Sequence, residues 1–367
     1  MNLFYATFIP GLQNFIAVVV RERLSDVKIN KLLDGAVLFE TETSYDKLNF
    51  LCFNNIFAVI NLSEGNHAKN AKIRNERKGD ENFYTAEIEN CIKYFIKESN
   101  SSPLKTPCNS VFNIKTIADN SSNIKTFRII VSNENVPAAI DEKLRAEAEK
   151  QISRLSGLKV NRVLADTEFW FLRRNEGFSI FMKRLTLRSS WEKTLHKGEL
   201  PPPLAWTLCR MADLSHNDTA LDPFCGYGSI PGAAVKYFHI TKFIACDNDE
   251  DTFKYTYNKF KKRKSGGIIL HNMDFIKLPS VIENKTIDVI VTDPPWGHHK
   301  EIDNKGFLIK MFDIFYKLLK DGGRAVLLYV NDDVFKNAIP DFFEIQTQTP
   351  VLLSGKKAVI YALKKNN

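Results

Sequence analysis

From Pro201 onward the chain repeats one unit: a short apolar run, a loop that opens on or near an acid, then a stretch with helical spacing. Thr219-Ala220-Leu221, Lys242 to Cys246, Ile268-Ile269-Leu270 and Ile287-Asp288-Val289-Ile290-Val291 read as strands. Gly232 to Phe238, Glu250 to Lys262 and Leu308 to Leu319 read as helices. Such alternation predicts parallel strands, because parallel neighbours need a long crossover between them. Pro201-Pro202-Pro203 opens one more helix, to Leu214, since proline is tolerated in a first turn. Asp321-Gly322-Gly323 predicts a turn into a fifth strand, Arg324 to Val330. Phe343 to Thr347 and Lys357 to Leu363 read as an antiparallel pair. The expected fold class is therefore α/β, a doubly wound sheet with an antiparallel terminal hairpin over residues 201–367.

The first half has a different texture. Leu3 to Phe8 alternates as a strand, Leu12 to Leu24 has helical spacing, and Val27 to Ile29 and Ala36 to Glu40 are short strands around Asp34-Gly35. Tyr45 to Ile60 reads as helix then strand, which completes the β-α-β-β-α-β order of a ferredoxin-like unit over residues 1–65. A polar loop leads to a helix from Tyr84 to Glu98, strands at Val111 to Thr116 and Phe127 to Val131, and a helix from Ala138 to Leu155 that stops at Gly157. Glu168 to Leu172 and Phe178 to Met182 form a hairpin around Asn175-Glu176-Gly177. A second α+β domain over 66–185 and a linker over 186–200 are expected.

Composition narrows the class of partner. The chain has 51 Lys+Arg against 43 Asp+Glu, a net charge of +8. Between Trp170 and Leu200, Arg173, Arg174, Lys183, Arg184, Arg188, Lys193 and Lys197 face only Glu176, Glu192 and Glu199, beside Trp191. Clustered cations next to aromatics suit a phosphate backbone, so Arg173, Arg174, Lys183, Arg184 and Arg188 are the expected phosphate contacts. The six cysteines carry no C-x-x-C pair, which speaks against a disulfide framework or structural zinc and fits a reducing cytoplasm. No apolar run reaches the length of a membrane span, and Met1 to Val20 lacks the basic start of a signal peptide.

Acids stand at the ends of four successive strands. Asp222-Pro223-Phe224-Cys225-Gly226-Tyr227-Gly228-Ser229 follows the first. Its glycines permit positive φ and close ligand approach, and the next helix N-terminus favours a carboxylate. Asp222 adds a counter-charge for an ammonium and opposes a pyrophosphate. Asp247, with Asn248, ends the second strand, where ribose hydroxyls bind in such folds. Asp274-Phe275 offers an acceptor for an exocyclic amine and an aromatic neighbour. An amino-acid zwitterion joined to a nucleoside is S-adenosyl-L-methionine, the cofactor these positions predict. Thr292-Asp293-Pro294-Pro295-Trp296-Gly297 ends the fourth strand with a carboxylate, two prolines and an indole. If Asp293 and the Pro294 carbonyl accept the two hydrogens of an exocyclic amine, its lone pair turns to the methyl donor, and Trp296 stacks on the base. Asp293 needs no raised pKa for that role.

The pairing of D-P-F-C-G-Y-G-S with T-D-P-P-W-G resembles amino-group methyltransferases with a Rossmann-like fold. The order of ferredoxin-like unit, basic α/β unit, G-E-L-P-P-P-L-A and this domain is similar to the THUMP-domain RNA guanine-N2 methyltransferases. The resemblance is specific over residues 198–297 and diffuse before 165. It implies a THUMP-type RNA-binding domain over 66–185, catalysis by Asp293, Pro294, Pro295 and Trp296, and methylation of guanosine N2, in tRNA first and rRNA second. A monomer is expected, with room for a small activator protein.

Other readings account for fewer residues. Adenine-N6 enzymes share D-P-P-W but generally lack a full F-x-G-x-G loop. Cytosine-C5 chemistry needs a thiol near 293, where there is none. A dehydrogenase would lack its G-x-x-G spacing and would meet Asp222. His298-His299 has no partner pattern for a metal. A non-catalytic RNA-binding factor with a vestigial pocket has no use for the intact acids and glycines.

Overall fold

The computed structural model describes residues 1–44, 48, 50–64, 81–100, 124–134, 136–186, 195–263, 267–296, 304–330 and 333–366. The chain divides into two compact units, one of Met1–Thr7, Ala17–Asn49 and Asn55–Leu187, the other of Phe8–Ile16, Phe50–Asn54 and Arg188–Asn367.

In the first unit the strands are β1 (Asn2–Thr7), β2 (Lys28–Leu33), β3 (Ala36–Thr41), β4 (Asn55–Glu64), β5 (Thr126–Asn133), β6 (Val136–Pro137), β7 (Lys159–Val160), β8 (Thr167–Arg174) and β9 (Phe178–Arg184). They form one sheet in the order β2-β3-β1-β4-β9-β8-β5-β6, with β7 beside β5. Side chains alternate across a strand, and β8 and β9 bury both sets. Phe169, Phe171 and Phe181 pack with Phe127 and Phe95. Leu172, Ile180 and Met182 join Leu3, Tyr5, Leu38, Phe57 and Val59 in a separate cluster.

Helix α1 (Gln13–Arg23) follows β1, α2 (Glu81–Asn100) carries Phe95, and α3 (Glu142–Ser156) follows β6. The expected helix from Ala138 starts at Glu142 instead. Pro137 still belongs to β6, and the Asp141 carboxylate caps the helix by accepting the Leu144 N–H at 2.9 Å. The helix stops at Gly157 as expected. The strand expected at Val111 to Thr116 and most of the helix expected from Tyr45 lie outside the described residues. Leu51 and Cys52, which are described, form a turn.

In the second unit, the long segment from Arg188 has α4 (Pro202–Met211) as its first described helix. It continues through β10 (Thr219–Asp222), α5 (Ser229–Phe238), β11 (Lys242–Asp247), α6 (Glu250–Arg263), β12 (Ile268–Asn272) and β13 (Ile287–Thr292). It ends with α7 (Asn304–Leu318), β14 (Leu319–Val330), α8 (Asp333–Ala338), β15 (Phe343–Leu353) and β16 (Lys356–Lys365). The sheet order is β12-β11-β10-β13-β14-β16-β15, parallel up to β14 and antiparallel at β16 and β15. This is the doubly wound sheet with a terminal hairpin that the alternation predicts. Two details differ. A single 3-10 turn, Phe275–Ser280, connects β12 to β13. The expected turn at Asp321-Gly322-Gly323 lies within β14, where pairing jumps from Ile287↔Leu319 to Val289↔Arg324.

Candidate active site

The chain leaves β10 for β11 and returns on the other side at β13, so β10 and β13 are neighbours, with Leu221 opposite Ile290. At such a reversal the crossovers diverge and leave a crevice beyond the carboxyl ends of the strands. Asp222 and Thr292 end these two strands. The Thr292 hydroxyl donates to Asp222 Oδ1 at 2.7 Å, so the loop after β10 and the turn after β13 are joined by a hydrogen bond.

The glycine loop is fixed by two elements, the end of β11 and α6. The Gly226 N–H donates to Asp247 Oδ2 at 2.8 Å, and the Cys225 N–H to the Cys246 carbonyl at 2.8 Å. Thr256 donates its hydroxyl to the Gly226 carbonyl at 2.8 Å, and Lys259 donates to the Tyr227 carbonyl at 2.7 Å. Both come from α6, one turn apart. Gly226 and Gly228 have φ of 50° and 74°. A Cβ at Gly228 would lie 2.7 Å from the Phe260 ring, whereas one at Gly226 would meet nothing within 4 Å. The loop is thus packed below residue 228 and open above residue 226.

Asp247 therefore builds the loop as well as ending β11, since its Oδ1 also accepts the Asp249 N–H at 2.9 Å. Each oxygen retains a further lone pair. Asn248 is exposed beside it. Asp274 caps the 3-10 turn by accepting the Ile276 N–H at 3.0 Å. The Phe224 ring lies 5.0 Å from Phe275 and 5.7 Å from Phe307. The sequence singles out Phe224 and Phe275 but misses Phe307, whose helical position looks like any core residue. Thr256, Phe260 and Lys259 are missed for the same reason, although their i, i+3, i+4 spacing is what a helix needs to brace a neighbouring loop.

The acids are perturbed. Burial pushes the Asp222 carboxyl up to about 8; Thr292 and the Phe224 N–H pull it down, and Asp293 and Asp247 push it further up. Its Oδ2 is buried with no hydrogen-bond partner. Burial raises Asp293 to about 7, against a hydrogen bond from Trp296. Burial also raises Asp247. The role read from the sequence does not require a raised Asp293 pKa, yet burial behind the turn raises it by disfavouring the charge. Pro294 is buried and Pro295 exposed. The Trp296 indole N–H donates to Asp293 Oδ1 at 2.9 Å, and its ring packs against the apolar core of the sheet. Gly297, His298 and His299 lie outside the described residues.

The expected RNA contacts of the first unit are located differently. Arg173, Arg174, Lys183 and Arg184 are all buried. Arg173 donates to Glu87 at 2.6 Å and to Asn133 and Asn175. Arg174 pairs with Glu134 at 2.8 Å and Glu176 at 2.9 Å. Arg184 pairs with Glu168 at 3.2 Å. Burial would raise the Glu168 carboxyl, but hydrogen bonds from Arg128 and Trp170, with the Arg128 and Arg184 charges, hold it below the ordinary range. Burial pushes Lys183 down to about 8. These four do not form an exposed basic face, because β8 and β9 are buried on both sides. Arg188 lies outside the described residues.

Residues 189–353 match a protein family described as RMKL-like, methyltransferase domain. A probable tRNA (guanine(10)-N2)-dimethyltransferase of Methanothermococcus thermolithotrophicus is 34% identical over 137 residues, which are 34% of this chain and 76% of that one. The tRNA (guanine(10)-N2)-dimethyltransferase of Methanocaldococcus jannaschii is 28% identical over 160 residues, 39% of this chain and 41% of that one. The chain thus spans about two-fifths of that relative's length. Among solved structures, TrmN from Thermus thermophilus has a TM-score of 0.74 at 19% identity and covers 100% of both chains, a likeness of fold along the whole chain.

Proposed function

We propose that this chain, which belongs to the THUMP-domain RNA guanine-N2 methyltransferase family, methylates the exocyclic N2 of a guanosine in RNA, with tRNA the first substrate to test. The supporting observation is the junction of β10 and β13, where the Thr292 hydroxyl lies 2.7 Å from Asp222 Oδ1 and the catalytic carboxylate follows one residue later. A donor loop and an acceptor turn are brought together there.

The residues present fit S-adenosylmethionine. Asp222 keeps one buried oxygen without a partner, which an ammonium satisfies. The open space over Gly226 admits close approach of a ligand to the backbone. Asp247 and Asn248 stand where ribose hydroxyls bind, and Phe224, Phe275 and Phe307 offer apolar surface for a purine. When bound, this cofactor supplies an electrophilic methyl group on a sulfonium.

The chain's own residues prepare the nucleophile. An exocyclic amine is a poor nucleophile because its lone pair delocalises into the ring. Asp293 Oδ1 is occupied by the indole of Trp296, so Oδ2 is the oxygen left to accept one amine hydrogen. The Pro294 carbonyl accepts the other, which turns the lone pair out of conjugation. Asp293 must be ionised to accept, and it can then receive the proton that the nitrogen sheds. The partly buried indole narrows the turn to a planar group.

Incubation of the full chain with methyl-labelled S-adenosylmethionine and tRNA, followed by digestion to nucleosides, tests the reading. Label is expected in N2-methylguanosine. Label in N6-methyladenosine, or none in any RNA, would overturn it.

A further inference from the structure

We infer that Thr292 is a positioning residue for the methyl donor: its hydroxyl holds Asp222 so that a single carboxylate oxygen is turned toward the donor's ammonium. The inference rests on the reading of the β10 loop as the donor site. Asp222 and Thr292 are both fully enclosed. Asp222 Oδ1 accepts the Thr292 O–H at 2.7 Å and the Phe224 N–H at 3.2 Å, while Oδ2 accepts nothing and is equally buried. One oxygen of the carboxylate is therefore paired with protein, and the other has no partner. An ionised carboxylate can only accept, so the threonine proton supports its charged form over its neutral form.

The groups around Asp222 sharpen the requirement. Asp293, one residue beyond Thr292, and Asp247, at the end of β11, both add negative charge. Burial, with a smaller push from the Asp222 charge, raises the thiols of Cys209 on α4, Cys225 in the loop and Cys246 on β11. Burial raises the Asp222 carboxyl to about 8, which favours its protonated form at neutral pH. Binding an ammonium then expels that proton, and affinity rises with pH up to that region. Without the Thr292 hydroxyl, ionisation becomes harder and the rise moves to higher pH.

Calorimetric titration of the full chain with S-adenosylhomocysteine, from pH 6 to 8.5 in buffers of different ionisation enthalpy, gives affinity and proton release together. Thr292→Val is expected to weaken binding at pH 7 about tenfold or more, with the acidic limb of the affinity profile moved to higher pH. Thr292→Ser keeps the hydroxyl and should restore the wild-type profile. Thr292→Ala serves the same comparison if valine disturbs folding. Affinity lost equally at every pH, or a Thr292→Val profile identical to wild type, would overturn the inference and leave the donor site standing. Failure of the wild-type protein to bind S-adenosylhomocysteine would sink both.

Discussion

At Asp293 two opposing effects meet within four residues. Burial raises its carboxyl to about 7, and the Trp296 indole N–H, 2.9 Å away, lowers it. Under the proposed mechanism the ionised form accepts an amine hydrogen, so activity should rise with pH through this region. Trp296→Phe keeps a planar ring and removes the N–H. A hydrogen bond to a charged group contributes about 1.5–3 kcal/mol, so the acidic limb of the kcat profile should move to higher pH, with roughly tenfold or greater loss at pH 6. A profile lowered uniformly would mean that the indole acts through stacking alone. Asp222 offers a test without substrate. Its folded pKa, about 8, lies above its unfolded value near 4. The stability it contributes is fully present below about pH 4 and is lost as pH rises toward 8. Asp222→Asn should therefore match the wild type in acid and become the more stable protein at pH 8, as urea denaturation at several pH values would reveal. Equal stability at pH 8 would show that the buried charge is compensated.

The element that ties these residues together is the loop between β10 and α5, and its conformation depends on α6. Gly228 has φ of 74°, and an added Cβ would lie 2.7 Å from Phe260 and 2.9 Å from the Thr256 methyl. Gly228→Ala should cost about 1–3 kcal/mol of stability from the strained backbone and the displaced ring. It should also weaken S-adenosylhomocysteine binding more than tenfold, since the loop that α6 braces is the proposed donor site. A stable variant with unchanged affinity would show that the loop is not the donor site. The loop's glycines and acids are legible in the sequence because acids recur at the ends of four successive strands, with the glycines directly after the first. The brace on α6 was not, because Thr256 and Phe260 in a helix resemble ordinary packing until the partner surface is known. For the same reason Thr292 passed as part of a motif: its hydroxyl matters only because β10 and β13 are adjacent, a fact of topology. The alternation of strands and helices gives the class of sheet but not its strand order, and it misses the 3-10 connection before β13, the short helix α8, and the absorption of the glycines at 322 and 323 into β14.

At the scale of the whole chain, the proposed RNA substrate requires a surface that holds it. The basic cluster at 173–184 was read from charge count, but count carries no information about which side of a strand a residue occupies. Arg173 is 1% exposed and bound to Glu87 at 2.6 Å, so its charge is already spent inside the first unit. A truncation to the second half is a poor probe, because Phe8–Ile16 and Phe50–Asn54 belong to the second unit. There the Leu352 N–H donates to the Pro10 carbonyl at 3.1 Å and the Phe15 ring lies 6.4 Å from Trp206. Single substitutions in the full chain are cleaner. Arg173→Ala breaks a buried pair and leaves Glu87 without that partner, which should cost about 3–5 kcal/mol. A phosphate contact behaves differently: its loss reduces the slope of log affinity against log salt by about 0.7–0.9. Titration of tRNA into Arg173→Ala at several salt concentrations, under conditions where the variant remains folded, should give the wild-type slope. A slope lower by about one contact would return Arg173 to the RNA interface and mean that the first unit opens on binding.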